Sequence, residues 1–267
     1  MTLPAGRDQR SVGRAIVQLV DRDGRPALER SYQAGSAKLR FTSTRHPIEA
    51  LLLNTSGGLA GGDAWSADVS AAAHDLTVST VACERVYRSD DTAARVDQGL
   101  AVGAGAVLRH LPQPTIVFDG AKLARRTRVD VTAGGRLTLC EGIVLGRAAR
   151  GEEVAQLDLT DRIDVAVDGQ LAFVDALRLD AAALVRVMGP AGLAGSRGIG
   201  LVLHVGDDGT ARAREALSAV PVRWGASLVG PVTVVRVLAP SHTALQDALA
   251  RAVLAVSGRP VPRSWTL

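Results

Sequence analysis

Lysine, cysteine and aromatic residues are scarce in this chain of 267 residues: it has two Lys, two Cys and eight Phe, Tyr and Trp together. Cys83 and Cys140 sit in segments that read as strands and belong to no CxxC pair. That excludes a disulfide framework and a local zinc motif and leaves buried thiols as the plain reading. No apolar stretch approaches the ~18 residues a membrane helix needs, and a hydrophobic content of 47% with mean hydropathy +0.15 excludes disorder. The start, MTLPAGRDQR, leads into Ser11-Val-Gly-Arg14 and not into an apolar stretch with a cleavage site, so no export signal is expected and a cytoplasmic location is. A soluble globular protein follows. With so few aromatics, its core must be filled by Val, Leu and Ala.

Basic charge is also less than it looks. The net charge is +4 and the pI near 9.7, but Arg alternates with Asp and Glu along the chain. Only Arg125, Arg126 and Arg128 cluster. In a strand, 126 and 128 share a face with no aromatic beside them to stack a base, so nucleic-acid binding is a weak reading. His46, His74, His110, His204 and His242 never occur at HxH or HxxxH spacing, which removes a local metal site. Ser56 lies in TSGG and not in GxSxG, and Ser79 and Ser89 have no motif around them, so acyl transfer lacks a nucleophile signature.

What the chain has in quantity is turns and short alternating segments. Asp23-Gly24, Gly57 to Gly62, Ser89-Asp90-Asp91, Gly103-Ala-Gly105, Asp119-Gly120, Gly134-Gly135 and Asp168-Gly169 punctuate the first two thirds. Strands are predicted to dominate 12–205. The surest hairpin joins Ile163–Val167 to Leu171–Leu177, because Asp-Gly accepts the positive φ angles of a tight turn. A weak repeat, a small or turn residue followed by Leu and alternating apolar positions, recurs at Leu76, Leu108, Leu137 and Leu171, at intervals of 32, 29 and 34 residues. Such a period suits an elongated, stacked-sheet or β-helix-like body in which each coil covers the last; a sandwich with similar hairpins is the alternative. Two helices are predicted late in the chain. One spans 211–220, capped by Thr210 and stopped by Pro221; the other spans 242–257, capped by Ser241, with Leu245, Leu249, Ala252, Val253 and Val256 on one face and Gly258 and Pro260 as stops. The whole of 1–267 reads as one mainly β domain.

Residues 54–63, NTSGGLAGGD, are the most distinctive segment. Glycine-rich loops cradle phosphates when a helix follows with Lys and Ser or Thr, or when the spacing is GxGxxG. Here the spacing is GGxxGG, no Lys follows, and Asp63-Ala-Trp-Ser-Ala-Asp-Val alternates like a strand. Asp63, Glu84, Asp119, Glu141, Glu152 and Glu153 each end an apolar segment or sit in a Gly-flanked turn. Solvated strand ends account for such positions; convergence on an internal passage would instead suit a weakly held divalent cation.

The order of NTSGGLAGGD (54–63), ERVYRSDD (84–91), LPQPTIVFDGAKLARR (111–126), LCEGIVLGRAARGEEV (139–154), DGQLAFVDALRLD (168–180), GASLVG (225–230) and GRPVPRSW (258–265) resembles the urease accessory protein D family, UreD or UreH. The resemblance runs from about Gly35 across nearly the whole chain. Pro114 replaces the Glu usual after LPQ, Cys83 precedes ERVYRS, and the N-terminal region is compact. The resemblance implies an elongated β fold with two helices near the carboxyl end and a non-catalytic scaffold for urease maturation. It also implies binding to apo-urease and accessory protein F, recruitment through F of the nickel-carrying GTPase G, and a water-filled passage that conducts Ni2+ in transit, with no tightly bound cofactor and no nucleic-acid or membrane partner. Thr55, Ser56, Asp63, Asp119, Glu141 and Glu152 occupy matching positions and become candidates for that route, beside Gly120 and the structural glycines Gly57, Gly58, Gly61 and Gly62. Two other readings stand beside it: a small-molecule or nucleotide-binding enzyme using loop 54–63, and a basic nucleic-acid-binding module.

Overall fold

The computed structural model describes residues 10–43, 47–89 and 91–266; His46 and Asp90, named above, lie outside the described residues. The chain opens with two antiparallel hairpins, β1 (Val12–Arg22) with β2 (Arg25–Gly35), and β3 (Ala37–Ser43) with β4 (Ile48–Asn54). From β4 it winds as a coil through β5 (Ala64–Ala71), β6 (Asp75–Thr80), the short β7 (Glu84–Val86), β8 (Ala94–Val102), β9 (Val107–Leu111), the short β10 (Thr115–Val117), β11 (Ala121–Val131), β12 (Arg136–Leu145) and β13 (Leu157–Val167). Each turn of the coil lays one strand in each of two large sheets. Thus β5, β8, β11 and β13 pair in parallel in one sheet, and β4, β6, β9 and β12 pair in parallel in the other. The mainly β, stacked-sheet body expected from the sequence is present.

The recurrence of Leu has a direct structural cause. Leu76 stands in register with Leu108, and Leu108 with Leu137, so three of the four repeat positions form one buried ladder. Leu171 does not belong to it. The coil stops at β13, where Asp168 (φ 51°) and Gly169 (φ 73°) reverse the chain into the antiparallel β14 (Gln170–Asp180). Leu171 therefore lies at the edge of the other sheet, 65% exposed. The inner faces of the two sheets meet in a core of Leu19, Val69, Leu100, Leu108, Val129, Leu139 and their neighbours. Small aliphatic side chains suffice because stacked strands of one register place like-sized residues above one another.

Beyond the coil, β15 (Gly198–Val205) joins β12 antiparallel, β17 (Val232–Ala239) joins β15, and β16 (Arg223–Val229) forms that sheet's edge. Among the described residues three α-helices follow β14. The first, α1 (Ala181–Val187), was not foreseen; Asp180, the last residue of β14, caps it by accepting from the Ala183 N–H at 2.7 Å. The second, α2 (Thr210–Leu217), corrects the expected cap and end: Asp208 Oδ1 accepts from the Thr210 N–H at 2.8 Å, Gly209 is the N-cap position, and the helix closes before Pro221. The third, α3 (His242–Ser257), follows expectation. Ser241 Oγ accepts from the Ala244 N–H at 3.2 Å and Gly258 ends the helix in the left-handed region. Its predicted apolar face is wholly buried. It lies on the outer side of β12, β15 and β17, which explains why β12 is buried on both faces from Leu137 to Leu145.

Candidate functional site

Alternation along β11 decides the interior of the site. Arg126 and Arg128 face outward, so Arg125 and Thr127 face inward with Val129. Arg125 pairs in register with Asp161 of β13, and Thr127 with Gln98 of β8. The result is a polar patch inside an otherwise aliphatic coil. The Arg125 guanidinium donates from Nε to Asp161 Oδ1 at 3.0 Å, contacts Glu141 Oε2 from Nη2 at 2.9 Å, and reaches Thr115 Oγ1 from Nη1 at 3.3 Å. Thr127 Oγ1 donates to Glu141 Oε1 at 3.4 Å, and His110 Nε2 lies 2.8 Å from Gln98 Oε1. Since that oxygen only accepts, His110 carries its proton on Nε2. Its Nδ1 is buried without a partner.

Two carboxylates share one guanidinium here, so both do not ionise at little cost. Burial, reinforced by the neighbouring Asp161 charge and opposed by Arg125, raises the Glu141 carboxyl from 4.5 to about 8. Burial, with Arg125 adding to it, lowers His110 to about 4. At neutral pH burial thus favours the protonated form of Glu141 and the neutral imidazole of His110 beside Arg125.

Above this patch lies a cavity of about 240 Å3, ample for several waters. Gln98, His110 and Arg125 line its inner end, and Asn54, Cys83 and Glu84 its rim. The rim is where the glycine loop stands. Asn54 Nδ2 donates to Gly58 O at 3.1 Å and contacts Glu84 Oε1 at 3.3 Å; burial raises the Glu84 carboxyl above its ordinary range. Gly58 has φ 150°, and a Cβ there would meet the Tyr87 ring at 2.4 Å. A Cβ at Gly61 would meet Ser89 Oγ. The GGxxGG pattern therefore lets β7 and the chain after it close over the loop.

The loop has little left to offer a phosphate. The N–H groups of Thr55, Ser56, Gly57, Leu59, Ala60, Gly62 and Asp63 all bond within the protein. That weighs against the nucleotide reading. On the outer sheet face, Arg126 pairs with Asp164 at 3.2 Å, Arg128 with Asp97 at 3.6 Å and Arg14 with Asp68 at 3.4 Å, so no unbroken basic stripe runs along these strands. Among the described residues no helix is long and apolar enough to cross a membrane, and no three His, Cys, Asp or Glu side chains gather as a metal site.

The six polar candidates from the sequence fall in four places. Thr55 and Ser56 are in the rim loop, where Thr55 Oγ1 donates to Ser36 O at 3.0 Å. Asp63 accepts from the N–H groups of Ser11 and Ala60 at 2.7 and 2.8 Å and so ties the loop to β1. Glu141 is in the buried patch. Asp119 and Glu152 come together at the surface, with Tyr87, Arg88, Phe118 and Arg147 around them. There Asp119 accepts from Gln156 N at 2.8 Å and Ala155 N at 2.9 Å, which, with Arg88 beside it, hold its carboxyl below the usual range. Glu152 is held down likewise by Arg147, at 2.8 Å. Gln98, His110, Arg125 and Asp161 were not picked out as site residues. Strand parity marks Arg125 and Asp161 as inward charges, and that was the available signal.

The sequence profile described as UreD urease accessory protein matches residues 11–266. A Chelativorans protein named urease accessory protein UreD is 39% identical over 97% of this chain and 95% of its own length. Proteins of the same name from a Methylobacterium species and from Ruegeria pomeroyi are 35% and 37% identical, covering 97% and 90% of this chain and 96% and 95% of theirs.

Proposed function

The chain belongs to the UreD urease accessory protein family and so has a role in urease maturation, and from that premise we propose that it is a non-catalytic scaffold through which Ni2+ passes toward the urease active site. The observation that carries this reading is the cavity between the sheets, with Asn54 and Glu84 at its rim, Gln98, His110 and Arg125 at its inner end, and Glu141 behind Arg125. Oxygen and neutral imidazole donors without an accessible cluster hold a borderline cation weakly, which suits transit more than storage. A protonated Glu141 can release its proton as a divalent charge arrives, and Arg125 keeps the site from accumulating more than one. Thr55 and Ser56 supply neutral oxygens at the entrance, while Asp119 and Glu152, each paired with an arginine, offer a second set of carboxylate oxygens on the surface. The partners of this reading are apo-urease, accessory protein F and, through F, the GTPase G, in the cytoplasm.

The test is the nickel content of urease assembled in cells carrying Glu84→Gln and Glu141→Gln, alone and together. The substitutions keep shape and remove charge. The expected outcome is urease with less than half the usual nickel while this chain still copurifies with F, G and apo-urease. Full nickel content in the double variant overturns the route; loss of the complex itself would place these residues in assembly instead.

A further inference from the structure

The outer face of the second sheet, opposite the ladder of Leu76, Leu108 and Leu137, carries a polar row that the nickel route does not use. Thr77 of β6, Arg109 of β9, Thr138 of β12, His204 of β15 and Thr233 of β17 stand side by side in register, all buried. Buried polar groups need partners, and two atoms of this row have none. These are Arg109 Nε and His204 Nε2, in residues 7% and 4% exposed. The Arg109 side chain is fixed by its other end, where Nη2 donates to Arg259 O at 3.0 Å and to Pro260 O at 2.6 Å. Arg109 and His204 both line a cavity of about 290 Å3 that lies between the row and the end of α3. Gly206 keeps the edge of the imidazole open, since a Cβ there would stand 2.7 Å from Nε2. Asp207 Oδ1, at 3.6 Å, is too far from Nε2 for a hydrogen bond, and Asp207 Oδ2 is held by Arg212 at 2.6 Å.

From this arrangement we infer that the cavity binds a phosphate group, free or as a monoester, with Arg109 Nε and His204 Nε2 as inner donors and Arg136 as the outer one. Charge favours an anion. Four arginines line the cavity, Arg109, Arg136, Arg212 and Arg259; Arg212 is paired with Asp207 and Arg259 with Asp75, each at 2.6 Å. Among the described residues Arg109 and Arg136 are in no ion pair, which leaves two positive charges for a group that carries about −1.5 to −2 at neutral pH. The donors also suit phosphate oxygens, which take charge-assisted N–H bonds and are matched by the planar guanidinium. Burial keeps the His204 imidazole neutral. With Nδ1 accepting from Thr138 Oγ1 at 3.1 Å, its proton lies on Nε2, the atom left without a partner. Burial, with the neighbouring Arg259 charge adding to it, lowers the Arg109 guanidinium to about 10, and a bound anion offsets both effects. The same excess of positive charge repels Ni2+, so this inference stands independently of the nickel route.

The purified full chain is titrated by calorimetry with inorganic phosphate and, separately, with glycerol phosphate, at fixed ionic strength in a chloride buffer. The expected result is one equivalent bound, weakened about tenfold or more in Arg136→Gln and in Gly206→Ala, and unchanged in Arg128→Gln on the other sheet. Gly206→Ala removes no charge and only fills the space beside His204, so a general attraction to arginine would not register it. Arg136 is exposed, and its variant tests the site even where Gly206→Ala fails to fold. Tighter binding of inorganic phosphate assigns the free ion, and glycerol phosphate bound at least as tightly assigns the ester. Binding of neither, binding that survives in both variants, or an equal loss in Arg128→Gln would each overturn the site.

Discussion

Arg125 shows how much one inward residue on a strand commits the fold to. It is 8% exposed and answers Asp161 and Glu141 from two other strands. Removing it leaves two buried carboxyl groups without their cation, and Arg125→Met should cost about 3–5 kcal/mol, read from urea unfolding midpoints. Glu141 makes a separate prediction. Its folded pKa is raised from 4.5 to about 8, so its contribution is fully present below 4.5 and is lost as pH rises through 8. Glu141→Gln has no such titration, and its stability relative to the unaltered chain should therefore improve from pH 5 to about pH 8 and level off above it. His110, whose pKa is lowered, titrates the other way and is common to both proteins, so the comparison isolates Glu141. A difference that is flat across that range would mean that Glu141 does not hold its proton. The parity of β11 already separates Arg125 from Arg126 and Arg128 in the sequence. Its partners could not be read there, because Asp161 lies 36 residues away and reaches it only through the parallel register of β11 and β13.

Legibility of an element depends on whether its signals are local. The third helix has a Ser cap, an apolar face over four turns and a Gly stop, and each of these holds in the structure. Ser241→Ala should cost about 1 kcal/mol, measured by thermal or urea unfolding, because the Ala244 N–H loses its acceptor. The first helix spans only 181–187, too short for a period to show, and its cap is the end of a strand. The second takes its cap from Asp208, two residues before the Thr that the pattern favours. A further feature of α3 was invisible in the sequence because it needs two strands at once. Gly142 and Gly200 are register partners on β12 and β15, and together they make the flat seat on which the helix rests. A Cβ at Gly200 would stand 2.8 and 2.9 Å from the Leu249 and Leu245 side chains. Gly200→Val should lift the helix and cost about 1–3 kcal/mol. If it unfolds at the same urea concentration as the unaltered chain, the close seat is not a constraint.

At the scale of the whole molecule, the coil and its cover depend on each other. Stacked parallel strands bury one side of each sheet against the other, but the outer side of β12, β15 and β17 carries Cys140, Val202, Val235 and Val237, which only α2, α3 and the closing segment hide. That closing segment is also tied to the coil and to α3 by hydrogen bonds. Trp265 Nε1 donates to Leu111 O at 3.0 Å, Gln246 Nε2 to Trp265 O at 2.8 Å, and Arg109 Nη2 to Pro260 O at 2.6 Å. The repeat of Leu was visible in the sequence because stacking fixes its interval; this cover was not, because its contacts join residues some 150 positions apart. Parallel coils of this kind close long loops before their contacts form, so folding should be slow and the uncovered sheet exposed while it proceeds. A chain ending at Pro240 would keep that apolar face open permanently and should self-associate in size-exclusion chromatography. Trp265→Ala, which removes one anchor while leaving α3 in place, should remain monomeric and lose about 3–5 kcal/mol in urea unfolding. A shortened chain that stays monomeric with an unchanged unfolding midpoint would show that the coil is complete without its helical cover.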